Sequence, residues 1–270
     1  MNKSELFTEL YKRYGAVTRA RGPFFYTKKG VRVTDLYQEA GRAILGWEGG
    51  SAFTMFKNVL SRGQTGSFIC EDCPEPRLQK AVSELLASDR TIFCFSSHKD
   101  AFDAGLSLFP DETSVYRPWN SINEKINISK TASLIVTPPL PWAESIFILA
   151  VDTKRIQENP DKLLFIRNNI KLPFALEVGI TKSIYNLIKA LQEREEKDWF
   201  IYDTVLTKYW KREGPYLFPK VPKDSYDAFA IHCLECGIVI SPDFNTPSIV
   251  PFGADRGVFT KLKNSPFVWE

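Results

Sequence analysis

The chain has only two histidines in 270 residues, His98 and His232. A Ser-His-Asp or Cys-His hydrolase would need one of them as its base. His232 stands next to Cys233 on a helical pattern and reads as half-buried packing, so no triad is expected. No Gly-x-Gly-x-x-Gly or P-loop sequence occurs, which leaves a nucleotide-dependent activity without a motif. The longest apolar runs, Ile146–Val151 and Gly237–Ile240, fall far short of the roughly 20 residues that span a bilayer, so no membrane association is expected. The N-terminal residues lack the basic, apolar, small-residue order of a secretory signal, and a cytoplasmic location is expected.

Five cysteines are too few for a disulfide scaffold and odd in number, as suits free thiols in a reducing compartment. Cys70-x-x-Cys73 and Cys233-x-x-Cys236 each have the spacing of half a tetrahedral zinc site. The two pairs lie much farther apart in sequence than zinc ribbons allow, and the second sits at i, i+3 on an amphipathic helix, where cysteines pack as core. The first lacks the strand-then-helix setting of a thioredoxin-like pair. No metal is expected.

What remains is an ordinary globular composition: 44% hydrophobic, 25% charged, formal net charge +3. The length suffices for a sizeable core without staples. Charge is uneven: residues 1–32 carry eight Lys or Arg against Glu5 and Glu9, a balance of +6 that leaves −3 for the rest. Tyr11, Tyr14, Phe24, Phe25 and Tyr26 are interleaved with these cations, a pattern open to nucleic acid. The overall basicity is modest, with pI ≈ 8.5, below the usual level for such proteins. The segment therefore reads as a solvated face that aids dimer contacts, and nucleic acid is not expected as a partner.

Periodicity predicts a helix capped by Ser4 and stopped by Gly15, then a hairpin whose arms are 23–27 and 31–35. A helix over 76–88, a strand over 90–95 and a helix over 99–108 follow, with strands at 134–136 and 146–151. Residues 153–172 read as a linker. A long helix begins after Pro173, Trp199–Trp210 reads as helical, Gly214-Pro215 as a breaker, and Asp224 as the cap of a helix ended by Gly237. Strands at 238–241 and 248–252 complete an α/β chain of two domains, 1–160 and 161–270.

In that setting three stretches carry a resemblance. Gly22-Pro-Phe-Phe-Tyr-Thr-Lys-Lys-Gly-Val-Arg-Val-Thr-Asp-Leu, followed by Ile44-Leu-Gly-Trp47, resembles the N-terminal hairpin and Leu-Gly-His segment of class III (fold type I) aminotransferases, with Trp47 in place of the His. Phe93-Cys-Phe-Ser-Ser-His-Lys-Asp-Ala101 is similar to that family's phosphate-holding turn, and Cys236-Gly-Ile-Val-Ile-Ser-Pro242 before Pro247-Ser-Ile-Val-Pro251 to its C-terminal domain. The resemblance implies a truncated aspartate-aminotransferase-like fold, a pyridoxal phosphate cofactor and a homodimer. It places Ser96, Ser97 and His98 at the cofactor phosphate, Asp152 at the ring nitrogen, and Lys154 or Lys171 at the Schiff base.

The departures shape the functional expectation. His98 stands where the family has a glycine that lets backbone approach the phosphate. Neither lysine has flanking glycines, Thr153 replaces the Glu after the ring aspartate, and the family's extra length falls between Ser133 and Pro173. Independently of the family, a Ser-rich turn at a helix start is an anion site or simply a helix cap. The expected function is an aminotransferase-like protein without its Schiff-base lysine that binds a small-molecule or anionic ligand in the residual cleft. The alternatives are a working pyridoxal-phosphate enzyme and an interaction protein that uses the basic N-terminal surface.

Overall fold

The computed structural model describes residues 1–65, 77–120 and 127–269. These form two compact units, one made of Met1–Glu48 with Arg194–Glu270 and the other of Gly49–Glu193. The expected division at residue 160 corresponds to neither limit. The reason is a pairing that links distant sequence: a strand from the C-terminal part joins the N-terminal hairpin in one sheet.

The first unit begins with α1 (Lys3–Tyr14), whose cap is Asn2 and not Ser4. The Asn2 side chain accepts from the Glu5 N–H at 2.9 Å while the Glu5 carboxylate accepts from the Asn2 N–H at 2.8 Å, a reciprocal capping box. Gly15 ends the helix at φ +76°. Three antiparallel strands follow, β1 (Val17–Arg21), β2 (Phe24–Thr27) and β3 (Arg32–Asp35). The last two are the expected hairpin. The first was hidden by its charge, because Val17-Thr-Arg-Ala-Arg21 lacks an apolar face of its own. Alternation along β2 buries Phe25 with Val33, Leu6 and Leu10 and turns Phe24 and Tyr26 to the other face.

The second unit opens with α2 (Gly50–Ser61) and α3 (Arg77–Leu85), then alternates β4 (Arg90–Phe95), α4 (His98–Leu108), β5 (Thr113–Val115), β6 (Ser133–Val136) and β7 (Phe147–Asp152). The strands form one sheet in the order β4-β7-β6-β5. β5 and β6 are parallel, while β7 runs against both β6 and β4. Helix α4 lies on this sheet, burying Ala101, Ala104 and Leu108 against Phe95, Ile135, Leu149 and Val151. The expected linker 153–172 is in fact structured. It holds a short helix, α5 (Thr153–Glu158), and a 3-10 turn, Pro160–Phe165, and Ile170 then bridges to Cys94 on the free edge of β4. The long helix is α6 (Phe174–Glu193).

The chain then returns to the first unit. Where one helix was expected, two short ones form, α7 (Lys197–Phe200) and α8 (Asp203–Leu206), and Trp210 starts a hairpin of β8 (Trp210–Glu213) and β9 (Tyr216–Pro219). Gly214 at φ +56° makes the turn of that hairpin, so the Gly-Pro pair reverses a strand and breaks no helix. Helix α9 (Tyr226–Glu235) follows a 3-10 turn at Lys223–Ser225 without a side-chain cap from Asp224, and Gly237 at φ +81° ends it. The two final strands part company: β10 (Ile238–Val239) adds parallel to β3, and β11 (Ser248–Ile249) pairs with β9. A short helix, α10 (Thr260–Asn264), lies near the C-terminus.

Candidate functional site

Sheet register decides which candidate residues share a place. Phe95 at the end of β4 lies opposite Phe147 at the start of β7, and Arg90 at the start of β4 lies opposite Asp152 at the end of β7. Because Val136 pairs with Ile148 and Val115 with Ile135, the C-terminal ends of β4, β5 and β6 open on one edge of the sheet. That edge receives Ser96, Ser97, His98, the residues after Val115 and the loop 137–146.

At this edge β4 passes directly into α4. Ser97 is the N-cap, with its hydroxyl accepting from the Asp100 N–H at 3.3 Å, and its carbonyl accepts from the Ala101 N–H at 3.1 Å. Among the described residues the N–H groups of His98 and Lys99 have no partner, so the first turn presents donors at the positive end of the helix dipole. The His98 ring stacks on Phe102 at 6.1 Å and meets Phe147 edge-on at 5.3 Å. Desolvation among these rings holds its pKa below the ordinary histidine value, and the charge of Arg117 lowers it further. Arg117 follows β5 and was not singled out from sequence, because the three-residue strand before it is too short to give a pattern.

Asp152 and Lys154 belong to the opposite edge. Five residue steps along β4 separate that edge from Phe95, about 16 Å at the rise of an extended strand. The Asp152 carboxylate caps α5, accepting from the Arg155 N–H at 3.1 Å, and Lys154 is exposed. Neither meets the Ser96–His98 turn, so the expected set of phosphate holder, ring carboxylate and amine is not assembled. The cause is local: an aspartate ending a strand before Thr-Lys-Arg is well suited to cap the helix that follows.

Lys171 stands differently. Ile170 N–H donates to the Cys94 carbonyl at 2.7 Å, which sets Lys171 alongside β4 one residue from the bridge. It is exposed, and its charge bears on Glu177, whose pKa is raised by burial and partly restored by this lysine. The loop 137–146, at the same sheet edge as the Ser turn, contains three prolines and no lysine.

The remaining candidates resolve into structure. Cys233 and Cys236 are buried free thiols whose pKa values burial raises. His232 Nε2 lies 2.8 Å from the Ser265 carbonyl. Cys70 and Cys73 lie outside the described residues. Among the described residues no group of three His, Cys, Asp or Glu side chains is placed to hold a metal, and no helix is long and apolar enough to cross a membrane.

No family model matches the chain. It is 28% identical to an uncharacterized protein of Treponema pallidum (strain Nichols), covering 90% of this chain and 91% of that one. It is 25% identical to an uncharacterized protein of Borreliella burgdorferi, covering 93% and 90%. Among solved structures it is similar to an ornithine aminotransferase of Plasmodium yoelii, with TM-score 0.65, 11% identity and coverage of 97% of this chain and 100% of that one. It is also similar to the acetylornithine aminotransferase of Elizabethkingia anophelis, with TM-score 0.62, 12% identity and coverage of 97% and 98%. Likeness at such identity speaks to backbone architecture, and on it the chain has the α/β fold of the pyridoxal-phosphate aminotransferases.

Proposed function

We propose that this protein is a non-transaminating member of that fold which binds an anionic small molecule, of the phosphate-ester class, at the N-terminus of α4. The observation that carries the reading is the opposed placement of Ser97 and Asp152 at the two ends of β4 and β7. Pyridoxal phosphate, when bound, supplies an electron sink to an amine substrate, and it needs a lysine amine and a ring carboxylate beside its phosphate. The turn suits the phosphate: Ser96 and Ser97 offer hydroxyls, and His98 and Lys99 offer backbone N–H groups. Asp152 and Lys154 do not suit the rest. In the proposed role the chain's own residues bind and orient: the α4 turn takes the anion, Arg117 adds positive charge, and the His98 ring closes one side against Phe102 and Phe147.

A second reading keeps the transaminase chemistry and rests on one contact, the Cys94–Ile170 bridge that sets Lys171 beside β4. Titration with pyridoxal phosphate, followed by borohydride reduction and peptide mapping, separates the two. Saturable binding without a labelled lysine, or with labels scattered over surface lysines at the level of a free-lysine control, supports the non-transaminating reading. Stoichiometric labelling of Lys171 that Lys171→Ala removes would replace it with the second. Absence of any saturable binding of pyridoxal phosphate or inorganic phosphate overturns the anion site itself.

A further inference from the structure

We infer that one face of the N-terminal sheet, exposed at Arg19 and Arg32, half-exposed at Tyr26 and covered at Thr34, binds single-stranded nucleic acid, a role separate from the α4 site. The register of β1, β2 and β3 puts Arg19, Tyr26 and Arg32 in one cross-strand row and Arg21 and Phe24 in the next. Directly opposed residues share a face, so three arginines and two aromatic rings form one patch on the side away from Phe25 and Val33. The arginines are exposed and the rings half-exposed. The Arg19 guanidinium lies over the Tyr26 ring at 5.1 Å and the Arg32 guanidinium over the Phe24 ring at 4.5 Å.

Three features argue for an anionic, planar ligand. Arg21 is paired with Glu48 at 3.0 Å, whereas among the described residues Arg19 and Arg32 have no acidic partner. Two uncompensated cations flanking one tyrosine repel each other, and an anion between them removes that repulsion. Cations and aromatic rings thus occur together on one exposed patch, and single strands are bound by stacking on aromatic side chains combined with backbone-neutralising cations. Finally, Lys28 in the turn joining β2 to β3 is exposed and extends the positive surface beyond the Tyr26 row. Composition argues against a nucleic-acid partner because the whole-chain charge is small; the tertiary structure concentrates that charge where it can act. A duplex offers its bases only at groove edges, so a flat aromatic face favours the single strand.

The test is fluorescence anisotropy of the full-length protein with labelled oligothymidylate and oligouridylate, the matching duplex, and anionic phosphatidylserine vesicles as a competitor. Saturable binding of single strands that weakens steeply with salt is expected. Arg19→Ala with Arg32→Ala should lower affinity by about tenfold or more and reduce the logarithmic salt slope by about 0.7 for each phosphate no longer neutralised. Tyr26→Ala should weaken binding while Tyr26→Phe retains it, with unchanged circular dichroism showing that the sheet survives. The exposed pair Lys261→Ala and Lys263→Ala, on α10, should bind as the parent does. No binding at low salt, binding untouched by the arginine variants, equal or tighter binding of the duplex, or displacement by vesicles that themselves bind more tightly would each overturn the proposal.

Discussion

Trp47 Nε1 donates to Asp35 Oδ2 at 2.8 Å, within a site where the carboxylate is fully buried. The other oxygen accepts from the N–H groups of Tyr37 and Gln38 at 2.9 and 3.0 Å. The tryptophan also packs on Phe25 at 5.2 Å. Where the resemblance leads one to look for His, this chain thus has an indole that ties the segment after the hairpin to the end of β3.

That relationship has a pH consequence. Burial outweighs the three donors and pushes the Asp35 carboxyl up to about 7 from 3.8. The folded state therefore holds a proton that the unfolded state has lost between those values. Its contribution to stability is complete below about pH 4 and is lost as pH rises through about 7, at up to ~1.4 kcal/mol per pH unit. Urea unfolding from pH 4 to 8 should show this decline, and Asp35→Asn should flatten it. Trp47→Phe leaves a buried carboxylate oxygen without its donor and should cost about 1–3 kcal/mol at pH 8.

Gly105, in the middle of α4, has helical backbone, where Ala is ordinarily better by up to about 1 kcal/mol. Here a Cβ would come within 2.7 Å of Thr113 Cγ2 and 2.9 Å of Ser133 Oγ. The helix sits too close to the sheet for it. Gly105→Ala should lower stability by about 1–3 kcal/mol, read as a drop in Tm, and a rise in Tm would show that the helix can shift.

Arg90 is wholly buried and donates to the carbonyls of Thr131 at 2.6 Å and Ile128 at 2.8 Å and to the Ser88 hydroxyl at 2.8 Å. Arg90→Met matches the aliphatic stem and removes every donor. The buried Thr131 carbonyl would then lack its donor, while the Ile128 carbonyl keeps the Thr131 N–H at 3.3 Å, so chemical denaturation should show a loss of about 1–3 kcal/mol.

The pKa of His98 is lowered by desolvation among its neighbouring rings first and by the charge of Arg117 second, although the residue keeps an exposed surface. Its ring should titrate below 6.5 by NMR, so its contribution to stability is present above pH 6.5 and lost as pH falls. Arg117→Ala should raise the midpoint only in part, because desolvation remains. Inorganic phosphate bound at the α4 turn should raise it further in the parent protein, and a midpoint indifferent to phosphate would count against the anion site.

The first helix, the β2–β3 hairpin, β4 with α4 after it, and the long α6 were legible because each carries its own periodicity or turn chemistry within a few residues. So was the Ser96–Ser97 turn, where strand end and helix cap are adjacent in sequence. β1 and the β8–β9 hairpin were not, since charged and aromatic residues obscure the strand period and a Gly-Pro turn looks the same as a helix stop. The site depended on something periodicity cannot carry. Asp152 and Lys154 read well beside a strand end, but only the antiparallel register of β4 and β7 shows that this end faces away from Ser97. The same holds for Arg19, Tyr26 and Arg32, scattered cations and a ring in the sequence and one row in the sheet. Local preferences set by a residue and its near neighbours are thus determined by the sequence directly, whereas which side chains meet is decided by strand pairing over long separations.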